Sequence, residues 1–383
     1  MVHPVLAAAE AAVGLQLEYQ GELELLNEPR RTLLVSRGER APTPDTPRLV
    51  AALAAVKQLV PRGETLVLGA GRSVYDAALW TCAQANGSAI VALTHSPDSE
   101  TEWRTFFPAR RLLVWPQTHS RSSARHRRDL LMAWLADRAY RLHVRRAGHM
   151  EKLAAVLEQR RCVVEPWPLP PPAQQPGGDP NNGRLAMTGA LIQSHIAWHY
   201  LTHFTREPDG AWPGEPRVEY LRWLCSGSPY APRNAFASLC RILQEKRFRA
   251  CGRLMPDSTP MVCFTGAPPH AILKLRRWRP GLLRWSFTPY GLVLTKEALA
   301  RLGAQPVSYV PRAAMSLATP AERRFMQRTH SSGADWAEED EWRIAGDVDL
   351  SAFDPADLLA LVTAPDEART IEDTFGVRTE IIA

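Results

Sequence analysis

The first 166 residues alternate short apolar runs with helical segments, and no other feature of the sequence constrains the fold as much. The apolar runs predict strands at 32–36, 66–68, 89–93, 112–115, 141–144 and 162–165. Apolar residues at helical spacing predict helices at 47–60, 123–137 and 150–159. Strands that are apolar throughout are typical of a parallel sheet with helices on both faces. The sequence therefore predicts an α/β Rossmann-like domain.

A segment rich in Pro and Gly follows this domain. Such a composition cannot continue a helix or a strand ladder, so residues 167–183 are predicted to be a linker between domains at 1–166 and 184–383. Strands after the linker are predicted at 261–265, 291–294, 307–310, 341–344 and 359–362. Helices are predicted around 187–200, 234–247, 320–328 and 366–374. This irregular order indicates an α+β domain.

Composition narrows the class of protein. Hydrophobic residues make up 45% and charged residues 22%, as in globular proteins. No uncharged apolar run reaches the ~18 residues of a membrane-spanning helix, and the first residues lack the cationic start of a secretion signal, so a cytoplasmic location is expected. The cysteines are scattered without a C-x-x-C pair, which disfavours disulfides and structural zinc. Arginine supplies 41 of the 46 basic residues and the net charge is +6, which favours nucleotides or nucleic acid as partners.

The turn after residues 66–68 has the composition of a phosphate-binding loop. It carries Gly69, Gly71, Arg72 and Ser73 directly before a predicted helix. Glycines allow a ligand to approach the backbone, and the free N–H groups at a helix start attract anions. The third glycine of the dinucleotide fingerprint is missing, and no P-loop motif occurs. Glycines at such turns also serve packing alone, so both interpretations stay open here.

Several spaced elements extend this pattern along the first domain. They are Ser36-Arg37, the turn at 69–73 leading into Tyr75-Asp76, the Arg-Arg-Asp run at 127–129, and Gly148-His149. In this order, residues 20–166 resemble the DNA processing protein A (DprA) family and its SLOG superfamily of Rossmann-like nucleotide sensors. The resemblance implies a pocket at the carboxyl ends of the strands that holds a nucleotide or nucleic-acid phosphate. The matching positions are Ser36, Arg37, Gly69, Gly71, Arg72, Ser73, Arg128 and Gly148.

One departure from related families limits the expected chemistry. The Pro-Gly-Gly-x-Gly-Thr motif of the LOG phosphoribohydrolases is absent, so binding rather than nucleotide hydrolysis is expected.

Residues 103–166 carry 14 basic and 5 acidic side chains, with the densest run around Arg125 and Arg128. Such a patch favours nucleic acid, with a solvated helix face as the alternative. The run Arg276-Arg277-Trp278-Arg279 is a second basic and aromatic segment of this kind.

Three histidines at spacings of four residues begin the second domain. On a helix, His195, His199 and His203 would align. No carboxylate shares their register, and residues 201–205 look extended, so packing or hydrogen-bonding roles are favoured and no metal is expected.

Short motifs in the second domain occur in a recognisable order. They are His203-Phe-Thr205, Val262-Cys-Phe-Thr265, Tyr290-Gly291 and a Glu-Trp-Arg run at 341–343. In this order, residues 198–365 resemble AbiGi-type abortive-infection proteins and, remotely, DarT-like ADP-ribosyltransferases. The resemblance implies an NAD site with Glu341 as the catalytic carboxylate. His203 and Thr205 would hold the ribose, and Tyr290 would stack on nicotinamide. Because residues alternate along the predicted strand, Arg343 shares the face of Glu341, where it is a candidate to bind the cofactor. The alternative is a structural role for Glu341 and Arg343 as an ion-pairing strand.

Three functions follow from these features. The first couples a nucleotide or nucleic-acid sensor to an NAD-using effector in antiviral defence. An enzyme of that kind would be an NAD-dependent ADP-ribosyltransferase or an NAD glycohydrolase. The second is a non-enzymatic single-stranded DNA-binding protein of DprA type. The third is a catalytically inactive antitoxin-like or scaffold protein. None of them requires a membrane, and a homo-oligomer stays open.

Overall fold

A computed structural model shows how the chain folds. It describes residues 3–36, 42–97, 105–117, 124–144, 146–168, 199–208, 210–226, 232–252, 255, 258–274, 278–279, 284–328, 336–354 and 357–382. These residues form two compact units. The first contains the described residues up to 168 together with 210–211 and 215–226. The second contains the remainder.

The first unit is a layer of strands covered by helices. Its strands are β1 (Leu17–Gly21), β2 (Arg31–Ser36), β3 (Thr65–Gly69), β4 (Ser88–Ala92), β5 (Arg110–Pro116), β6 (Arg138–His143) and β7 (Val163–Pro166). Its helices are α1 (Pro4–Val13), α2 (Pro47–Leu59), α3 (Ser73–Gln84), α4 (Ala124–Leu135), α5 (His149–Gln159) and α6 (Arg217–Ser226). Short 3-10 turns occupy Leu23–Asn27 and Val60–Arg62.

The strands form one sheet in the order β1-β5-β4-β3-β2-β6-β7. Strands β2 to β7 pair in parallel, and β1 is antiparallel to β5. The chain builds outward from β2 through β3, β4 and β5, and then returns to place β6 on the other side of β2. Ligands of open α/β sheets bind beyond the carboxyl ends of the strands at such a reversal. The predicted Rossmann-like α/β fold of this part of the chain is confirmed.

Burial explains the apolar runs within the central strands. Leu33, Leu34 and Val35 of β2 are fully buried, as are Leu66 and Val67 of β3, because helices cover both faces. The predicted strands are confirmed, although β6 begins at Arg138 rather than at 141. Helix α1 and strand β1 were not predicted. Most side chains of β1 are exposed, so its sequence lacks the apolar run that identified the other strands.

Helix α6 joins the first unit although it follows the Pro- and Gly-rich segment. Its buried residues Tyr220, Leu221 and Leu224 belong to the same apolar core as the sheet. Helix α3 is buried over most of its length, from Val74 to Cys82. It therefore offers apolar surface on more than its sheet-facing side, and α6 packs against it. The unit is consequently assembled from both sides of the segment 167–183.

The second unit is built on a sheet of different topology. Its strands are β8 (Tyr200–Phe204), β9 (Arg247–Phe248), β10 (Met261–Thr265), β11 (Trp278–Arg279), β12 (Arg284–Trp285), β13 (Gly291–Thr295), β14 (Gln305–Pro306), β15 (Ser308–Val310), β16 (Met326–Arg328), β17 (Glu341–Ala345), β18 (Val348–Asp349), β19 (Leu359–Val362) and β20 (Arg378–Ile381). The main sheet has the order β14-β17-β10-β8-β13-β19-β20. All its pairs are antiparallel except β19 with β20.

Short helices connect the strands of this unit. They are α7 (Ala235–Glu245), α8 (Pro269–Lys274), α9 (Lys296–Arg301), α10 (Arg312–Leu317), α11 (Pro320–Arg323) and α12 (Pro365–Phe375), with 3-10 turns at Trp336–Glu339 and Leu350–Ala352. The helix predicted at 320–328 is wrong in its second part, because Met326–Arg328 forms β16 and pairs with β15. Of the helix predicted at 187–200, residues 187–198 lie outside the described residues. Across the described chain, no helix is both long and apolar enough to cross a membrane.

Candidate functional site

The loop between β3 and α3 lies at the carboxyl edge of the first sheet. A Cβ on Gly69 would lie 2.8 Å from Sδ of Met132 and 3.0 Å from Nε of Arg128, so a larger residue at this position would force these buried side chains to shift. Gly71 has φ +89°, a left-handed conformation that favours glycine. The conformation of the turn therefore depends on both predicted glycines.

The carboxylate of Asp76 supports this loop from the first turns of α3. Its Oδ1 accepts a hydrogen bond of 2.9 Å from the Gly71 N–H. Its Oδ2 accepts from Arg217 of α6. The Asp76 side chain is buried, and this burial raises its pKa, while Arg217 and the Gly71 N–H act in the opposite direction. Asp76 thus holds Gly71 in place. The negative charge of Asp76 is compensated by Arg217, which follows the predicted linker in the sequence.

The carboxylate of Asp129 in α4 organises a second cluster beside the loop. Its Oδ1 accepts from Nε and Nη2 of Arg128, at 3.1 and 2.7 Å. Its Oδ2 lies 2.9 Å from Nη2 of Arg72 and 3.1 Å from Nε2 of His149. The His149 ring also contacts that of His126, with centroids 4.9 Å apart. Two guanidinium groups share one buried carboxylate, so the cluster carries surplus positive charge.

Arg128 connects helix α4 to the loop. Besides its bonds to Asp129, its Nη1 donates to the carbonyl oxygen of Ala70 at 2.8 Å. Its side chain is only 3% exposed. The sequence predicted that Arg128 contacts phosphate, but in this arrangement its guanidinium faces the protein and fixes the loop. Among the predicted cations that the structure describes, Arg72, with 23% of its side chain exposed, and the exposed Arg125 are accessible.

The end of β2 is held by Tyr75 of α3. The Tyr75 hydroxyl lies 3.3 Å from both the N–H and the carbonyl oxygen of Ser36. Burial, with Asp129 nearby, raises the pKa of this phenol, so it stays protonated and can donate. Gly148 precedes α5 and brings His149 to Asp129. The structure therefore places at one sheet edge the predicted residues Ser36, Gly69, Gly71, Arg72, Ser73, Arg128 and Gly148.

Some residues that organise this edge were not predicted. Asp76 and Asp129 stood inside the motifs but received no role, although an acid directly after two arginines is itself a signal for a buried ion pair. Arg217 had no signal in the sequence, because it lies far from this loop along the chain. Arg37, His195 and the pair Arg276-Arg277 lie outside the described residues. Among the residues that the structure describes, no group of three or more His, Cys, Asp or Glu side chains could hold a metal ion.

Replacing Gly69 with alanine tests the packing of the loop. The added methyl group would collide with Met132 and with Arg128, which its ion pair holds in place. We expect a loss of about 1–3 kcal/mol in the free energy of unfolding, as for overpacked cores. Urea unfolding measures it, with Gly63→Ala as the control, since no atom lies within 4 Å of a Cβ there. Gly63 has a positive φ and Gly69 does not, so Gly63→Ala carries backbone strain without a collision, and a larger loss at Gly69 shows that the collision costs more than that strain.

Two solved structures of DNA processing protein A match part of the chain. The protein from Streptococcus pneumoniae is 16% identical, with a TM-score of 0.33, over 39% of this chain and 54% of that one. The protein from Helicobacter pylori, whose structure describes a single-stranded DNA binding mode, has the same identity, TM-score and coverage of this chain, and 70% of its own chain is covered. The chain thus spans about half of the pneumococcal structure.

The other comparisons give no match. No protein-family model matches the chain. No curated protein matches it either. The resemblances of residues 198–365 to AbiGi-type and DarT-like proteins therefore stay predictions.

The second unit places two of its predicted catalytic residues, Glu341 and His203, on opposite faces of the main sheet. Glu341 of β17 pairs with Thr265 of β10, which in turn pairs with Thr202 of β8. Residues directly opposite each other share a sheet face, and successive residues point to opposite faces. Glu341 and Thr202 therefore lie on one face, and His203 lies on the other. The strand register therefore does not support the predicted arrangement of Glu341 and His203 around one NAD, and that arrangement stays a prediction.

Glu341 and Arg343 instead form a largely buried ion pair. Nε and Nη2 of Arg343 donate to the two carboxylate oxygens of Glu341 at 2.8 and 3.0 Å. Nη1 of Arg343 donates to the carbonyl oxygens of Arg324 and Met326, at 2.9 and 3.2 Å. The pair thus fastens the segment around β16 to β17. This geometry matches the structural alternative for the Glu-Trp-Arg run.

The remaining predicted residues also have local partners. The Tyr290 hydroxyl lies 2.8 Å from Oγ1 of Thr363 and donates to Glu367 at 2.9 Å, where α12 begins. Burial raises its pKa to about 12. The buried Thr205 hydroxyl donates to the carbonyl oxygen of Ala235 at 2.8 Å. Both residues thus join the main sheet to neighbouring helices.

His203 makes the second unit sensitive to acid. Its Nδ1 lies 2.8 Å from the carbonyl oxygen of Cys263, and burial lowers its pKa from 6.5 to about 4. The unfolded chain therefore takes up a proton at higher pH than the folded chain does. We expect stability present above pH 6.5 to be lost as the pH falls towards 4. Urea unfolding should show a flatter pH profile for His203→Asn, whereas His199→Asn, at an exposed position, should keep the original slope.

Proposed function

We propose that the first unit binds the phosphate backbone of a nucleic-acid strand at the carboxyl edge of its sheet. One observation carries this proposal. The start of α3 has an arginine, Arg72, at the cap position, and its side chain makes no capping hydrogen bond to the helix. Helix starts normally carry Ser, Thr, Asp or Asn, whose oxygens accept from the first N–H groups. Arginine has no acceptor, so an external anion suits this helix start.

The charges around the helix start also favour an anion. Arg72 and Arg128 share the single carboxylate of Asp129, which leaves positive charge next to the N-terminus of α3. The helix dipole adds to this charge. Ser73, the first residue of α3, supplies a hydroxyl donor at the same point. Together these groups match the chemistry of a phosphate.

Exposed basic groups extend beyond this point and favour a polymer over a single nucleotide. Arg125 and His126 are exposed on the first turn of α4, beside the ring of His149. A strand that places one phosphate at α3 can place neighbouring phosphates along α4. Binding of this kind releases counterions and weakens steeply as salt rises.

A titration with a fluorescent single-stranded oligonucleotide tests the proposal. We expect the affinity to fall between about 50 and 200 mM salt, and the slope of log K against log salt to decrease by about one in Arg125→Ala. Arg62→Ala is the matched control, because Arg62 is exposed, carries the same charge and precedes β3 at the opposite edge of the sheet.

Competition with unlabelled ligands shows whether the site binds a nucleic-acid strand or a single nucleotide. Excess mononucleotide should displace the labelled strand weakly if several phosphates are engaged. Equal effects of Arg125→Ala and Arg62→Ala would contradict an interface on α4. The NAD-using effector and the antiviral role predicted for the whole chain stay predictions.

A further inference from the structure

Helix α6 reaches the proposed phosphate site from the far side of the linker. Arg217, the first residue of this helix, forms an ion pair with Asp76 of α3. Asp76 in turn holds the N–H of Gly71 at 2.9 Å. A chain of contacts therefore leads from α6 to the loop that precedes Arg72 and Ser73. We infer that Arg217 is a positioning residue that sets the nucleic-acid affinity of this loop through Asp76.

The physical reason is the burial of Asp76. Its side chain is 2% exposed, whereas that of Arg217 is 23% exposed. A carboxylate buried to this extent is unstable without a positive partner and takes up a proton instead. Arg217 is the largest influence that opposes the effect of burial on the pKa of Asp76. Removing Arg217 therefore favours the protonated acid, which is a weaker acceptor for the Gly71 N–H.

The other groups around Asp76 do not replace Arg217. Arg128 of α4 also lowers the pKa of Asp76, but by less than Arg217 and the Gly71 N–H do. Arg128 is itself bound to Asp129 and to the carbonyl oxygen of Ala70. Asp76 depends for its charge mainly on a helix that follows the linker. The loop at 69–73 is thus held by residues that precede and follow the predicted linker.

This inference rests on the proposed nucleic-acid binding, and full-length variants test it with the same fluorescent single-stranded oligonucleotide. We expect Arg217→Gln to weaken binding about tenfold at about pH 8, and further at about pH 6, because burial raises the pKa of Asp76 and loss of Arg217 favours the protonated acid as the pH falls. Arg222→Gln is the matched control, because Arg222 lies on the same helix and pairs only with the exposed Glu219 among the contacts of the described chain. It should bind like the unaltered protein at both pH values.

A double variant distinguishes positioning from a general loss of structure. Arg217→Gln combined with Asp76→Asn places an amide oxygen under the Gly71 N–H without a buried charge. We expect it to restore binding to within about threefold of the unaltered protein and to remove the additional loss at low pH.

The outcomes separate the inference from the function on which it rests. A folded Arg217→Gln protein that binds like Arg222→Gln at both pH values would overturn the inference and leave the proposed function intact. A double variant no better than Arg217→Gln would also overturn it. No binding by the unaltered protein at about 50 mM salt would overturn the proposed function itself.

Discussion

Replacing Asp129 with asparagine is expected to lower the free energy of unfolding of the first unit by about 3–5 kcal/mol. The Asp129 side chain is 1% exposed and is the shared counter-charge of Arg72 and Arg128. Asparagine keeps an oxygen of similar position but removes the negative charge. The guanidinium of Arg128, which is 3% exposed, is then buried without a charged partner. Hydrogen exchange on peptides covering α3 and α4 measures this loss within the first unit.

An exposed ion pair in the same unit supplies the control for Asp129. Glu219 and Arg222 of α6 pair at 2.7 Å with side chains 47% and 60% exposed. Glu219→Gln should change stability by at most about 1 kcal/mol. An equal response of the two variants would show that Asp129 does not support the loop. The loss in Asp129→Asn should also reduce oligonucleotide binding, because Arg72 then lacks its fixed position.

Glu341→Gln is expected to destabilise the second unit by about 3 kcal/mol. Glu341 binds Arg343 through both carboxylate oxygens, and the Arg343 side chain is only 5% exposed. Glutamine accepts one of these hydrogen bonds but provides no charge. Arg343 would then hold the carbonyl oxygens around β16 with an uncompensated buried charge. Urea unfolding and hydrogen exchange of β16 and β17 measure the effect.

Glu341→Gln also distinguishes a structural role of Glu341 from a catalytic one. Glu338→Gln is the control, because Glu338 lies in the preceding turn and is exposed. It should leave stability unchanged within about 0.5 kcal/mol. Released nicotinamide is measured in parallel after incubation with NAD. A Glu341→Gln protein of unchanged stability that has lost nicotinamide release would restore the catalytic interpretation of Glu341.

Local patterns were sufficient to predict most elements of the first unit. The central residues of strands β2 to β5 are buried on both faces, so they form apolar runs that identify these strands directly. Gly69 and Gly71 marked the turn, where close packing against Met132 and Arg128 and a left-handed backbone favour glycine. Helix α6 was missed since its ten residues have only three buried side chains, and the surface that they cover lies on α3.

The second unit shows that local sequence patterns do not predict how distant strands pair. Alternation along one strand correctly placed Glu341 and Arg343 on one face, because that relation is local. The relation of Glu341 to His203 depends on the pairing of three strands that are distant in the chain. A shift of one residue in that pairing moves a side chain to the other face. No local pattern determines this register.

Local patterns in the sequence are enough to predict a parallel α/β layer, a glycine turn before a helix and an excess of arginine around it. These are properties of neighbouring residues, and secondary structure depends on such periodicity. The pairing of the buried charges follows from the tertiary fold instead: Asp129 meets Arg72 and Arg128, and Asp76 meets Arg217. Buried carboxylates take whichever cation the fold brings within reach, because an unpaired buried charge is costly wherever its partner lies in the chain.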